Sequence, residues 1–407
     1  MDLPLVPLPV GPTDRATADR VAEALHVALA GGPAVLPHPV DEPPDDASRV
    51  PDGVALVVRT SGSTGRPRGV LLDGAALRAS ADATHARLGG PGRWVLSLPL
   101  VHVAGLQVLV RSLVAGLDPV VGPPGPFDGG SWLRSVAGAP SGAPLHGSLV
   151  PTQLHRVVAA AEADAGLAAA ARARLGAVLL GGAATPAPLR ARATALGLPV
   201  VRTYGMTETS GGCVYDGVPL DGVSVRLVDG AVELSGPVLA RGYLGRPDLD
   251  AAAFAPDGGR RWFRTQDLGS VDDAGRLTVL GRRDDVLVTG GAKVAPAAVE
   301  VEVATLDGVG EVCVVGVPDA EWGQAVTAVV VGTSGRTPTL EEVRAHVART
   351  LGAAAAPRHL VLVDALPLRG PGKVDRAEVA RLAAAALGRD GAPQGERGDG
   401  GPARHHH

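Results

Sequence analysis

Four stretches of this 407-residue chain concentrate side chains that handle anions, sugar hydroxyls and cations. RTSGSTGRPRGV (59–70) sets Thr60, Ser61, Ser63 and Thr64 among Gly62, Gly65 and Gly69, and Arg68 closes the run. Glycines let backbone N–H groups turn toward an anion, and hydroxyls and a guanidinium add donors, which suits nucleotide phosphates. The run is neither an NTPase P-loop nor a dinucleotide fingerprint, and an ordinary surface loop has the same composition. RTYGMTETSGG (202–212) offers Tyr204 to stack on a base, Thr207 to bond a phosphate and Glu208 to hold a divalent cation. Mg²⁺ takes one or two carboxylates plus phosphate oxygens. The same residues also read as a capped strand-to-helix turn. Farther on, Asp267 can accept both hydroxyls of a ribose and Arg282 can assist from the next strand, although the RRDD run at 282–285 also suits a solvated charge cluster. LPLRGPGKVDR (366–376) presents Lys373 behind Gly370 and Gly372, on a tip able to reach a site made elsewhere, with the composition of any tight turn.

Lys293 and Lys373 are the only lysines; every other one of the 38 basic residues is arginine, and Ile and Asn are absent. Codon bias explains this usage. A lysine that persists under it marks a place where a compact ammonium is needed, or survives by chance.

Elements must carry these residues. A helix is expected over 15–31, with Asp14 as N-cap and Gly31-Gly32 as stop, and a loop over 38–52. Alternating units follow: strand 54–60, helix 74–88, strand 94–100, helix 104–115, strand 118–122, a loop over 122–130, strand 145–150, helix 151–172, strand 177–182, helix 186–196 and strand 200–205. Strands alternating with helices indicate βαβ units and a parallel sheet, with 59–70 and 202–212 at the carboxyl ends of strands where such sheets bind ligands. From 218 to 281 short strands and Gly turns indicate a β-rich subdomain. From 282 a smaller α+β unit is expected, with helices at 296–305, 339–351 and 376–387. The domains expected are therefore 1–281 and 282–388, with 389–407 a disordered tail whose three closing histidines lack the geometry of a metal site.

Composition bounds the function. An apolar content of 45% supports a sizeable core, and aromatics at 2% leave it to Val, Leu and Ala. A net charge of -4 gives no reason to expect nucleic acid or an anionic membrane as partner. No apolar run reaches the roughly 18 residues of a span, and MDLPLVPLPVGPTDR has no secretory signal pattern. Cys213 and Cys313 are far apart without metal spacing, so two free thiols in the cytoplasm are expected.

In order and spacing, the four stretches resemble the signature set of the adenylate-forming superfamily of acyl-CoA synthetases, luciferases and peptide-synthetase adenylation domains, over roughly residues 50 to 385. LPLVHVAGL (98–106) is similar to the family's segment before the acyl pocket and LLGGAAT (179–185) to its adenine-facing loop. The short chain and residues 204–223 most resemble the actinobacterial family of 2-succinylbenzoate–CoA ligases of menaquinone synthesis. The resemblance implies an α/β fold: a large N-terminal domain of mixed and parallel sheets, and a small mobile α+β C-terminal domain. It implies ATP, Mg²⁺ and CoA as cofactor or co-substrates, acyl-adenylate formation with release of pyrophosphate, then displacement of AMP by the CoA thiol. Residues 61–69 would cradle phosphates. Thr207 and Glu208 would contact phosphate and metal. Gly181, Gly182, Ala183, Tyr204 and Gly205 would frame adenine. Asp267 and Arg282 would hold the ribose. Lys373 would bridge the attacking carboxylate and the α-phosphate, Asp284 would be the hinge, and Gly291 would line the pantetheine tunnel. A second carboxylate on the acid needs a cationic or donor-rich partner if buried, for which Arg202, His102, Thr209 and Ser210 are the candidates, although Arg202 also reads as a strand-end surface arginine and His102 as a packed histidine.

The sequence departs from the family pattern at Arg68 (usually Lys), Gln266 (usually Gly) and Val101 (commonly Phe), and its N-terminal region is short. Expected partners are the small carboxylic acid, ATP and CoA, with a homodimer admitted. Another aryl- or acyl-CoA ligase, a carrier-protein-loading adenylation enzyme and a non-catalytic nucleotide-binding protein are the alternatives.

Overall fold

The parallel centre of the molecule is built from the apolar runs Arg93–Leu96, Leu145–Leu149, Leu175–Leu180 and Val200–Met206. The computed structural model describes residues 2–42, 49–61, 67–333, 335–369 and 373–388. The expected phosphate-loop residues Gly62, Ser63, Thr64 and Gly65, the glycines 370 and 372, and the tail lie outside them.

Strand side chains alternate between faces, so the sheet must be covered twice. Trp94, Leu96 and Leu179 pack with Leu77, Leu106 and Leu109 of the helices Gly74–Arg87 and Val103–Ala115. Val95, Val178 and Leu180 face Trp132, Leu154, Val157 and Leu189 on the opposite helical layer. The expected helix 151–172 is two, Pro151–Ala163 and Ala165–Arg172, because Asp164 ends the first and caps the second through Leu167 N at 2.9 Å. Helix Gly129–Ala137 was not expected; its two leading glycines and Pro-rich approach masked it.

A second sheet corrects the sequence reading most. Strand Val54–Ser61 does not enter a βαβ unit; it pairs antiparallel with Pro67–Asp73, placing Thr60 opposite Arg68. Asp2–Val10 and Ala34–Pro39 extend the sheet as a parallel pair. Pro4, Pro7 and Pro9 within Asp2–Val10 disguise that strand; Pro7 and Pro9, two residues apart, withhold donors on the same side. The helix Arg15–Leu29 between them starts as expected, with Asp14 Oδ1 accepting from Thr17 N at 2.8 Å.

The β-rich region holds Ser224–Val228, Ala231–Ser235, Phe254–Asp257, Arg260–Val271 and Leu277–Arg282 in one sheet. Beyond it, Leu287–Thr289, Ala292–Val294, Val309–Asp319, Gly323–Gly332 and His359–Val363 form another, packed on the helices Pro296–Val303, Leu340–Leu351 and Arg376–Ala386. Among the described residues, the buried clusters up to Leu277 and those from Leu287 share no member.

Candidate active site

Strand Val200–Met206 runs parallel to Leu175–Leu180 and folds back antiparallel into Gly211–Tyr215. The ladder is irregular between Tyr204 and Gly205, where a Cβ on Gly205 would lie 2.2 Å from the Gly211 carbonyl oxygen. Only glycine allows that approach. Between the strands, Thr207–Thr209 form one 3₁₀ turn and Ser210 takes a φ of 53°. The Thr209 hydroxyl accepts from Met206 N at 2.9 Å and donates to the Gly211 carbonyl at 2.7 Å. Ser210 Oγ donates to Val238 O at 2.8 Å, and Ser210 O accepts from Gln107 Nε2 at 2.7 Å and Ser80 Oγ at 3.1 Å. Both residues are fully buried, so their hydroxyls fix the turn that presents Thr207 and Glu208.

Glu208 Oε1 accepts from the Tyr243 hydroxyl at 2.9 Å. Tyr243 pairs with Val70, and Leu244 N donates to Gly69 O at 2.7 Å, which brings the phenol beside Arg68. Burial, then the Glu208 charge, push the phenol above its ordinary range, and the Arg68 guanidinium opposes them. Tyr243 therefore joins the strand that leaves the glycine-rich loop to the candidate metal carboxylate. Sequence reasoning missed it. The available signal was scarcity: the chain has three tyrosines, and all three bond another side chain, Tyr215 to Thr84 at 2.9 Å and Tyr204 to Asp267 at 2.7 Å.

That last contact defines the other flank. Asp267 Oδ2 accepts from the Tyr204 hydroxyl, whose pKa is pushed above its ordinary range by burial and then by the Asp267 charge. Arg282 lies directly opposite Asp267 on the neighbouring strand, 4.0 Å away, and bonds both oxygens of Asp284 at 2.8 and 2.7 Å. The hydrogen bonds from Arg282 hold the Asp284 carboxyl below its ordinary range. Gly181 and Gly182 directly follow the adjacent strand Leu175–Leu180. A Cβ on Gly181 would lie 2.5 Å from Thr203 Oγ1, Gly182 has a φ of 85°, and Ala183 is exposed beyond them.

Other expected residues are placed less directly. Half-buried His102 is the N-cap of helix Val103–Ala115, which is tied to the Thr207–Ser210 turn through Gln107. Arg202 Nε donates to Asp216 Oδ1 at 3.1 Å, and both side chains are about half exposed. Arg190 faces the pair; burial and then the Arg202 charge lower its ionisation. Gly291 has a φ of 81°, and no atom lies within 4 Å of where its Cβ would sit; exposed Lys293 follows. Lys373 is placed by its backbone pairing with Arg369. Among the described residues no three His, Cys, Asp or Glu side chains cluster as a metal-only cage. A single carboxylate, with one oxygen bonded by Tyr243, fits an ion completed by phosphate oxygens and water.

Residues 10–244 match the AMP-binding enzyme family and residues 298–373 the AMP-binding enzyme C-terminal domain. The chain is 49% identical over 338 residues to a probable 2-succinylbenzoate–CoA ligase of Mycobacterium tuberculosis, covering 82% of this chain and 85% of that protein. It is 33% identical to a feruloyl-CoA synthase of Amycolatopsis, covering 84% and 72%. Among solved structures it resembles o-succinylbenzoate CoA synthetase (MenE) from Bacillus subtilis in complex with the acyl-adenylate intermediate OSB-AMP. The TM-score is 0.67 and the identity 26%, with 85% of this chain and 74% of that one covered.

Proposed function

This chain belongs to the AMP-binding enzyme family, and on that premise we propose that it is an ATP-dependent 2-succinylbenzoate–CoA ligase of menaquinone biosynthesis, working in the cytoplasm. The identity of 49% across most of both chains carries this reading. The site is consistent with it: Tyr204, Asp267 and Arg282 form one group of contacts, and Arg68, Tyr243 and Glu208 another. In this reading Asp267, with Arg282, takes the ribose hydroxyls, and Gly181, Gly182, Ala183, Tyr204 and Gly205 frame the base. Thr60, Ser61, the loop to Gly69, and Arg68 hold the outer phosphates. Thr207 bonds phosphate and Glu208 holds Mg²⁺, which supplies charge neutralisation when bound. Lys373 brings its ammonium between the carboxylate and the α-phosphate, two anions that otherwise repel. The N-terminal unit spans 1–281 and the C-terminal unit 282–388, rotating at Asp284 so that Gly291 opens the thiol path.

2-Succinylbenzoate carries a second carboxylate that needs a cationic partner. Arg202 and Arg190 against the single carboxylate of Asp216 leave net positive charge at that end of the strand. We assign the acid's distal carboxylate there, with His102 on the near wall and Thr209 and Ser210 shaping the turn. ATP- and CoA-dependent AMP release across a panel of acids tests the function. 2-Succinylbenzoate is expected to give the highest kcat/KM; a higher value for ferulate would favour the feruloyl-CoA reading that the Amycolatopsis relative suggests.

A further inference from the structure

We infer that Arg376 is a positioning residue that fixes the Lys373 hairpin relative to the junction at Asp285; this rests on the reading that Lys373 serves adenylate formation. Arg376 is the first residue of helix Arg376–Ala386, immediately after the strand Lys373–Val374 and the N-cap Asp375. The intervening backbone is tied at each step. Asp375 N donates to Pro367 O at 2.8 Å, Asp375 Oδ1 accepts from Glu378 N at 3.2 Å, and Lys373 pairs with Arg369.

The Arg376 guanidinium reaches three other segments. Nη1 and Nη2 lie 2.7 and 2.9 Å from the two oxygens of Glu300, on helix Pro296–Val303. Nη1 also donates to Val314 O at 2.9 Å, and Val314 N donates to Glu300 Oε1 at 2.8 Å. Nε lies 3.5 Å from Asp285 Oδ2. Asp285 directly follows Asp284, which Arg282 grips. Residues 283–286 are the covalent passage between the buried clusters ending at Leu277 and those beginning at Leu287. A rotation at this passage moves Asp285, and the forked guanidinium refers that movement to the Lys373 hairpin. A lysine there has one nitrogen and cannot hold Glu300 and Asp285 from fixed, divergent directions. The arrangement differs from a plain stabilising ion pair because one of its partners belongs to the junction.

Asp285→Asn and Arg376→Lys in the full chain test this, since both spare the half-buried Glu300 from facing an empty site. Adenylate formation is read by acid-dependent ATP–pyrophosphate exchange and compared with thioester formation from supplied acyl-adenylate. Each variant is expected to lose about 10- to 100-fold in kcat for adenylation, with KM for ATP and acid within about twofold and the thermal midpoint nearly unchanged. The double variant is expected to be no worse than Arg376→Lys alone. Amide exchange at Lys373, Val374 and Asp375 is expected to quicken about tenfold in both. Wild-type kcat in both variants, or equal loss of both half-reactions in step with unfolding, overturns the proposal. Exchange is read without substrate: an inactive wild type whose hairpin amides still quicken in Asp285→Asn would sink the ligase reading and leave the positioning role standing. Unchanged exchange would sink the positioning role in either case.

Discussion

Lys373 and Arg202 are the two cations whose proposed work differs most in kind. Lys373→Ala should abolish acyl-adenylate formation yet spare thioester formation from supplied acyl-adenylate, because the ammonium is needed where two anions meet and not where a thiol attacks. Rates of the two half-reactions, measured separately, check this; equal loss would remove the role. Arg202 already shares its charge with Asp216 at 3.1 Å, so its contribution to acid binding is the part Asp216 leaves over. Arg202→Ala should raise KM for 2-succinylbenzoate about tenfold with KM for ATP little changed, the size of one charge-assisted hydrogen bond. Asp216→Asn should lower it, by freeing the guanidinium. Steady-state kinetics of the two variants must move in opposite directions for the assignment to hold. At this scale the sequence read Asp267, Arg282, Thr207 and Glu208 as candidates from residue type and position alone. It did not place Tyr243 against Glu208, since that contact spans 35 residues and depends on how two sheets meet.

On the proposed reading, the turn at Gly291 serves the second half-reaction. Gly291 sits in the turn joining Leu287–Thr289 to Ala292–Val294, with a φ of 81° and open space where a side chain would project. Gly290 beside it is covered by Trp322, whose ring would lie 2.5 Å from an added Cβ. Gly291→Leu should therefore impair CoA transfer while adenylation persists. Gly291→Ala is the control for backbone strain, which costs about 1–2 kcal/mol for a side chain at this φ. If the leucine variant makes thioester at the wild-type rate, the thiol path runs elsewhere. The sequence fell short on elements such as Gly129–Ala137 and Asp2–Val10 because glycine and proline, its best punctuation, there lie inside a helix and a strand.

For the whole molecule, one contribution to acid stability lies in the core, at His146. His146 is buried on strand Leu145–Leu149, 5.1 Å from the Trp94 ring, and neither ring nitrogen has a partner. Burial, then the nearby His85 and Arg111, lower it from 6.5 to about 4. The sign follows directly. The folded state keeps His146 neutral while the unfolded chain takes up its proton, so this contribution is complete above pH 6.5 and is lost as pH falls toward 4. The loss amounts to a few kcal/mol. Denaturant melts at pH 7 and pH 4.5 should show a smaller pH difference for His146→Leu than for wild type; an equal difference would place the acid sensitivity in other groups, His85 foremost.

The sequence by itself determined the chemistry available. It supplied glycines where backbone must approach backbone, hydroxyls and a carboxylate in one short turn, one acid and one arginine a strand apart, and two lysines in a chain that otherwise uses arginine. These are local facts, because φ preference, strand alternation and residue type act within a few positions. The tertiary structure alone decided which of them meet. It set Arg68 beside Tyr243 and Glu208, Tyr204 against Asp267, and Arg376 between Glu300 and Asp285. Those contacts join segments tens of residues apart, and their geometry comes from sheet register and helix packing, which burial of the whole core selects and no single stretch encodes.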